Sequence, residues 1–171
     1  MKTALNLKEF IRDVPDWPKP GILFRDISPL LLSPEAFNAT VELMAEEWGG
    51  KTDMLAALDA RGFIFAAPLA IKLGLPLIMV RKKGKLPPPT TSISYDLEYG
   101  SATIEICTDM LLPKSGRVLV VDDLLATGGT AKAACELLEK INLVVVGCAF
   151  VVELTDLPGR KVLEGRTVTS V

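Results

Sequence analysis

The chain has 171 residues, of which 49% are hydrophobic and 23% are charged, and its formal net charge is −2. This length suits one α/β domain with a substantial core, and the balance is that of a folded protein. The slightly acidic charge argues against nucleic acid or anionic membrane as a partner, so any basic site must be local. Histidine is absent, which excludes histidine-based nucleophilic and acid–base catalysis and most zinc sites.

Cysteine usage and hydropathy predict a cytoplasmic protein. Cys107, Cys135 and Cys148 are widely spaced and form no C-x-x-C pair, so reduced thiols are the simplest interpretation. Polar residues interrupt the first ten positions, unlike a secretory signal. The longest uncharged apolar run, 143–152, is about half of the roughly 20 residues that a membrane span needs.

The N-terminal region combines a proline-rich stretch with a helix. Residues 13–34 hold Pro15, Pro18, Pro20, Pro29 and Pro34, which we interpret as too many prolines for regular structure. A helix is predicted over 34–47, because Ser33 can cap it and proline suits its first position.

Four short apolar runs, each next to a turn, predict buried parallel strands. They cover residues 54–58, 77–80, 118–121 and 144–152. Strands that alternate with helices predict an α/β fold with a mostly parallel central sheet and ligands at the carboxyl ends of the strands.

The first predicted strand is followed by a helix over 62–73. Its apolar positions at helical spacing are Ile64, Ala67 and Ile71. Because proline is tolerated only in a first helical turn, Pro68 predicts that the helix begins late, near Phe65.

Two further stretches have distinct patterns. Residues 84–101 run from three prolines through Thr91, Ile93 and Tyr95 to Gly100, which predicts a weak hairpin. A long irregular segment in a compact domain is typical of a functional flap. Residues 130–141 predict an amphipathic helix; its apolar face is Ala131, Ala134, Leu138 and Ile141.

The segment VLVVDDLLATGGTAKAA carries the strongest functional signal. An apolar strand ends at Asp122 and Asp123, and a Thr-Gly-Gly-Thr turn then opens a helix. Glycines and a helix N-terminus present backbone N–H groups to an anion, while paired carboxylates suit the two hydroxyls of a ribose. No G-x-x-x-x-G-K-[ST] is present, so a nucleotide P-loop is excluded. For Gly128 and Gly129 alone, a simple turn would be the better interpretation.

This string resembles the phosphoribosyl pyrophosphate signature of the type I phosphoribosyltransferases, and the resemblance extends along nearly the whole chain. It is strongest for the adenine-specific branch of that family. The matching segments, in family order, are PGILFRDISPLL (20–31), LDARGFIFA (58–66), RKKGKLP (81–87), YDLEYG (95–100) and VVDDLLATGGT (120–130). The resemblance implies one domain over 1–171, with a small hood at about 13–34 and a flexible catalytic flap at about 84–101.

The resemblance also implies a role for each matched residue. Asp122 and Asp123 hold the ribose, and the 5′-phosphate lies on Ala126, Thr127, Gly128, Gly129 and Thr130. Pyrophosphate, whose negative charge grows as its bond to ribose breaks, contacts Arg61, Arg81, Lys82 and Lys85. Adenine lies against Leu23, Phe24 and Arg25. Glu98 is the catalytic residue that exchanges a proton with the purine, and Tyr99 shapes the closed flap.

The implied reaction converts adenine and phosphoribosyl pyrophosphate to AMP and pyrophosphate, in purine salvage. Mg²⁺ is expected to be carried by the substrate pyrophosphate, without a dedicated protein metal cage. Because basic residues of relatives reach a neighbouring subunit, a homodimer is also implied. One alternative is a transferase for a 6-oxopurine such as xanthine, against which the flap glutamate argues. The other is a regulatory binding module; such proteins usually add a DNA-binding domain, for which this chain has neither the length nor the basic face. The segment after Gly159 receives no functional assignment.

Overall fold

The computed structural model describes residues 5–96, 100–108 and 115–171. Its strands are β1 (Arg12–Val14), β2 (Phe24–Asp26), β3 (Met54–Leu58), β4 (Leu77–Lys82), β5 (Thr90–Asp96), β6 (Ser101–Cys107), β7 (Arg117–Leu125), β8 (Val144–Glu153) and β9 (Val168–Ser170). Its α-helices are α1 (Ser28–Leu32), α2 (Pro34–Trp48), α3 (Gly62–Leu73), α4 (Gly129–Lys140) and α5 (Gly159–Val162), and a 3-10 helix covers Leu7–Phe10. The four strands predicted from apolar runs are confirmed, with β4 and β7 extending further than predicted.

A seven-stranded sheet in the order β5-β6-β4-β3-β7-β8-β9 forms the centre of the protein. Strands β4, β3, β7, β8 and β9 are parallel, whereas β6 pairs antiparallel with both β4 and β5. The predicted α/β class with a mostly parallel sheet is therefore confirmed. From β3 the chain continues to β4 on one side and later returns to β7 on the other, so the carboxyl ends of β3 and β7 border a topological switch point.

The two faces of the sheet support two apolar cores, because side chains alternate along each strand. Leu55 and Ala57 of β3 pack in the core that contains α2 and α3, while Ala56 and Leu58 pack in the core that contains α4. Aromatic residues complete each core, with Phe150 on the α4 side and Phe65 and Trp48 on the other. The sheet is thus covered on both faces, as parallel sheets require.

Helix α3 corrects two predictions. It begins at Gly62, so Pro68 lies inside it and does not delay its start. The predicted face is also wrong, because Ile64 is 37% exposed and Ile71 is 84% exposed. The buried face is formed by Gly62, Phe65, Ala66, Leu69 and Ala70. Packing of these residues against the sheet offsets the hydrogen bond that proline cannot donate.

The proline-rich stretch 13–34 contains more regular structure than predicted. Strands β1 and β2 pair antiparallel as a separate two-stranded sheet, and α1 follows directly. Pro15, Pro18 and Pro20 lie in the connection between the strands, where no ladder hydrogen bond is needed. The remaining prolines begin α1 and α2, and the Ser33 hydroxyl caps α2 by accepting a hydrogen bond from the Ala36 N–H at 3.2 Å.

A hairpin is present, but it is displaced from the predicted range 84–101, because its second strand begins only at Ser101 and continues to Cys107. β5 pairs with β6 along its whole length, and β6 joins β4, so the hairpin forms one edge of the central sheet. Ile93 and Tyr95 turn inward against the core beneath α4. None of the helices in the described ranges is long and apolar enough to span a bilayer.

Candidate active site

The turn between β7 and α4 is shaped to hold an anion. Gly128 has φ +84°, a left-handed conformation that favours glycine, and α4 begins at the next residue. The first N–H groups of a helix have no partner within it and lie at the positive end of its dipole. A cavity of about 90 Å³ is bordered by Thr127, Gly128, Thr130 and Asp122. This small space lies at the residues that the sequence predicts to bind a 5′-phosphate.

The turn rests on the backbone of α5, a contact that the sequence did not predict. A Cβ atom on Gly128 would lie 2.8 Å from the Gly159 carbonyl oxygen, and one on Gly159 would lie 2.3 Å from the Ala126 carbonyl oxygen. Both positions therefore need glycine, since any side chain would push the two segments apart. Gly159 thus supports the loop directly, although sequence analysis assigned no function to the segment that follows it.

Asp122 and Asp123, at the end of β7, have different surroundings. Asp122 borders the cavity at the turn, and its Oδ1 accepts a hydrogen bond from the Asp123 N–H at 2.9 Å. Asp123 is only 3% exposed and lies with Oδ2 2.9 Å from Nε of Arg61. The Arg61 N–H is not aligned with that oxygen, so this is an ion pair that leaves Asp123 Oδ2 without a hydrogen bond among the residues described.

Burial changes the acidity of both carboxyl groups. It raises the pKa of Asp122 well above its ordinary value, and the neighbouring negative charge of Asp123 raises it further. The pKa of Asp123 is also raised, mainly by burial, although the positive charge of Arg61 works in the opposite direction. A pair with raised pKa values at a strand end in a cleft is typical of a functional site.

A second cavity, of about 240 Å³, lies between the carboxyl ends of the central strands and the β5–β6 hairpin. It shares Asp122 and Thr130 with the smaller cavity and is also bordered by Asp59, Lys82 and Tyr95. The Tyr95 hydroxyl lies 3.0 Å from the Thr130 hydroxyl, and this hydrogen bond connects the hairpin to the start of α4. The two cavities are therefore neighbours that share part of their walls, with Lys82 at the larger one and the turn before α4 at the smaller one.

The predicted basic residues divide into paired and unpaired cations. Arg61 is held by Asp123, and Nε of Arg81 donates a hydrogen bond to Oδ2 of Asp59 at 3.1 Å. Lys82 and Lys85 are exposed and make no ion pair within residues 5–96, 100–108 and 115–171. Sequence analysis missed Asp59, although an acidic residue directly after a predicted strand is itself a signal for the ligand-facing edge.

Phe24, one of the predicted hood residues, lies beside Arg61. The guanidinium of Arg61 lies 5.6 Å from the ring centre of Phe24, and Trp17 packs edge-on against the same ring at 4.5 Å. Leu23 is 43% exposed, and Arg25 pairs with Asp13 of β1. The cation over the Phe24 ring is therefore Arg61. Arg25 is the next residue of the same strand, and neighbouring residues of a strand point to opposite sides. Glu98 and Tyr99 lie outside the described residues.

Comparison with known proteins identifies relatives over nearly the full length. The family model for the phosphoribosyl transferase domain matches residues 36–166. The adenine phosphoribosyltransferase of Carboxydothermus hydrogenoformans is 54% identical over 168 residues, which cover 98% of each chain.

Solved structures of adenine phosphoribosyltransferases share the fold. That from Thermoanaerobacter pseudethanolicus superposes with a TM-score of 0.90 at 48% identity, covering 96% of this chain and 95% of its own. That from Saccharomyces cerevisiae, in complex with an imino-altritol bisphosphate and adenine, gives 0.89 at 37% identity with the same coverage.

Proposed function

Since the chain belongs to the phosphoribosyl transferase family, and within it to the adenine phosphoribosyltransferases, we propose that it converts adenine and phosphoribosyl pyrophosphate to AMP and pyrophosphate in purine salvage. The observation that carries this proposal is the pair of neighbouring cavities that share Asp122 and Thr130. Together they offer a carboxyl group, a turn at a helix N-terminus and a cation, which suit ribose, 5′-phosphate and pyrophosphate.

The ribose and its phosphate would bind along β7 and the turn after it. Residues 126–130 would surround the 5′-phosphate, and Asp122 would accept hydrogen bonds from the ribose hydroxyls. Asp123 is paired with Arg61, a cation that pyrophosphate would also attract. Movement of Arg61 toward pyrophosphate would free the Asp123 carboxylate for the ribose, so binding at the two ends would be linked.

Pyrophosphate would lie among Arg61, Arg81, Lys82 and Lys85, which would stabilise the charge that develops on the leaving group. We propose that Mg²⁺ arrives on the substrate and supplies further positive charge there. Asp59 and Asp122 border the larger cavity and offer the oxygen ligands that Mg²⁺ prefers. Among the residues described, no three acidic, cysteine or histidine side chains are close enough to hold a metal together. Substrate and water would supply most of the ligands of this ion.

Adenine would lie between the hood and the flap. The half-exposed ring of Phe24, with Leu23 and Arg25, offers a surface for a flat purine. Glu98 would exchange a proton with the purine ring, because the histidine-free sequence leaves carboxyl groups as the natural acid–base groups near neutral pH. Tyr99 would help to close the site against water.

We further propose a homodimer in the cytoplasm. Ile64 and Ile71 expose apolar side chains on the outer face of α3, and Leu43 of α2 is 47% exposed. Apolar groups on neighbouring helices are typical of an interface. The three cysteines are free thiols, as expected in a reducing compartment. Light scattering in solution would test the dimer.

The function itself is tested by supplying magnesium, phosphoribosyl pyrophosphate and one purine at a time. We expect AMP and an equal amount of pyrophosphate with adenine, and far less product with hypoxanthine, guanine or xanthine. Product from a 6-oxopurine at a comparable rate would replace this proposal with the alternative substrate class. Tight binding of phosphoribosyl pyrophosphate without any nucleotide product would instead support a regulatory binding module.

A further inference from the structure

Glu105 is a buried carboxylate that no predicted role explains. It lies on β6, is 5% exposed, and uses a single oxygen, Oε1, to accept three hydrogen bonds from successive backbone N–H groups. The donors are Gly84 at 2.9 Å, Lys85 at 3.1 Å and Leu86 at 3.1 Å. Converging N–H groups of this kind form an anion-binding nest, and here the anion is supplied by the protein itself.

The sheet places Glu105 where it can hold this turn. Glu105 is the register partner of Arg81 in the antiparallel pair of β4 and β6, and the Lys83 N–H donates to the Thr103 carbonyl at 3.0 Å. After Lys83 the chain leaves β6, so the following N–H groups have no strand partner. An ionised carboxylate accepts several donors strongly, and Glu105 therefore fixes the turn against the sheet.

The turn held by Glu105 connects to the basic residues at the open end of the larger cavity. Lys82 borders that cavity, and Lys85 supplies one of the three N–H groups. We propose that Glu105 is a positioning residue for pyrophosphate: it holds Lys82, Lys83 and Lys85 at the cavity mouth through the backbone, without touching substrate. This inference rests on the proposed function of the same site.

Two opposite effects of Glu105 on pyrophosphate can be separated. If its negative charge acted mainly through space, removing it would strengthen anion binding, because the lysines would be less neutralised. If it acts by holding the turn, removing it leaves three N–H groups without their acceptor and releases the lysines. Loss of position at a phosphate site reduces binding and catalysis, with effects that reach about 100-fold for small displacements.

The experiment compares Glu105→Ala, Glu105→Gln and a matched control, Ile106→Val. Ile106 is the next residue of β6 and is fully buried, so the control weakens the same strand without touching the turn. Three measurements are made: hydrogen exchange of the Gly84–Leu86 amides, calorimetric binding of inorganic pyrophosphate with magnesium, and KM for each substrate.

Glu105→Ala is expected to expose the three amides to exchange, to weaken pyrophosphate binding by about 10- to 100-fold, and to raise KM for phosphoribosyl pyrophosphate while KM for adenine stays within about two-fold. Glu105→Gln keeps one acceptor oxygen and should recover part of each loss. The control should leave all three measurements near wild type.

The inference is overturned if Glu105→Ala matches Ile106→Val, if both Glu105 variants bind pyrophosphate more tightly, or if both KM values rise together. Pyrophosphate binding and amide exchange need no turnover. They therefore still test Glu105 if the wild-type protein forms no AMP, an outcome that would reject the proposed function alone.

Discussion

Replacing Asp122 with asparagine removes a carboxyl group that can ionise and changes little else in the candidate site. Asparagine has the same size, and its side-chain oxygen can still accept the Asp123 N–H hydrogen bond that measures 2.9 Å in the wild type. The backbone at the start of the phosphate turn should therefore keep its geometry. What is lost is the group that can become an anionic acceptor, in the wall that the two cavities share.

The expected cost follows from the bonds that the carboxylate would make to the ribose hydroxyls. Hydrogen bonds to a charged group contribute about 1.5–3 kcal/mol, which corresponds to a loss of roughly 10- to 150-fold in kcat/KM for phosphoribosyl pyrophosphate. Steady-state AMP formation at varied phosphoribosyl pyrophosphate concentration measures this loss. The KM for adenine should change far less, because the hood is separate from Asp122.

Asp122→Asn should raise the stability of the fold although it lowers activity. Above the ordinary carboxyl pKa of 3.8 the unfolded chain releases its proton, whereas the folded Asp122 holds it because burial and Asp123 raise its pKa. The unfolded state then binds fewer protons, so the free energy of unfolding of the wild type falls as the pH rises. Asp122→Asn lacks this group, and its gain in Tm over wild type should be larger at about pH 8 than at about pH 5.

Asp53→Asn is a matched control at the opposite end of the sheet. Arg117 donates hydrogen bonds to Asp53 and lowers its pKa to about 2, so this carboxylate stabilises the fold above pH 3.8 and the effect is lost on acidification. Its replacement should lower Tm at neutral pH and leave kcat/KM unchanged. Wild-type kinetics for both Asp122→Asn and Asp123→Asn, or a fall in Tm of Asp122→Asn at high pH, would refute the reasoning.

Four further outcomes are expected. Glu98→Gln should slow the chemical step by about 10²- to 10⁴-fold in single-turnover kinetics at saturating substrates, and a rate within a few-fold of wild type would reject its catalytic role. Gly128→Ala, which strains the backbone and presses on Gly159, should lower stability by about 1–2 kcal/mol in denaturant unfolding and raise KM for phosphoribosyl pyrophosphate; an unchanged KM would exclude the turn as the phosphate site. For the wild type, the KM for phosphoribosyl pyrophosphate should fall from about pH 6 to about pH 8 as Asp122 and Asp123 ionise. An equally steep pH dependence in Asp122→Asn would exclude ionisation of this pair as the cause. Adenine should exceed guanine in kcat/KM by at least about 10²-fold, because an amino-group site leaves polar groups unpaired against a carbonyl; competition assays would detect a smaller ratio.

Local patterns predicted the parts of the fold that depend on neighbouring residues. Buried strands such as Met54–Leu58 and the capped start of α2 at Ser33 are visible because burial on both faces and capping leave continuous or positional signals. The turn between β7 and α4 was visible for the same reason. The features that predict anion binding there all lie within one segment, from Asp122 to Thr130.

The features that sequence reasoning missed depend on distant packing. Ile64 and Ile71 have helical spacing, but so do Phe65 and Leu69, and only the position of the sheet decides which set is buried. The support of the phosphate turn by Gly159 and the hold of Glu105 on Gly84–Leu86 join segments that are far apart in the chain. No local periodicity or motif in the sequence indicates such long-range contacts.

The contact between α5 and the turn between β7 and α4 also predicts an order of events during synthesis on the ribosome. The strand that carries Asp122 and the turn itself emerge before Gly159 does, and N-terminal parts of a chain generally begin to fold first. The later segment is anchored by Arg160, which donates to Glu153 at 2.8 Å and to the Val168 carbonyl at 3.0 Å. A nascent chain that has reached only β8 would thus carry the carboxylates but no surface beneath the turn. If this turn holds the 5′-phosphate as proposed, substrate capture would begin only when the final segment has folded.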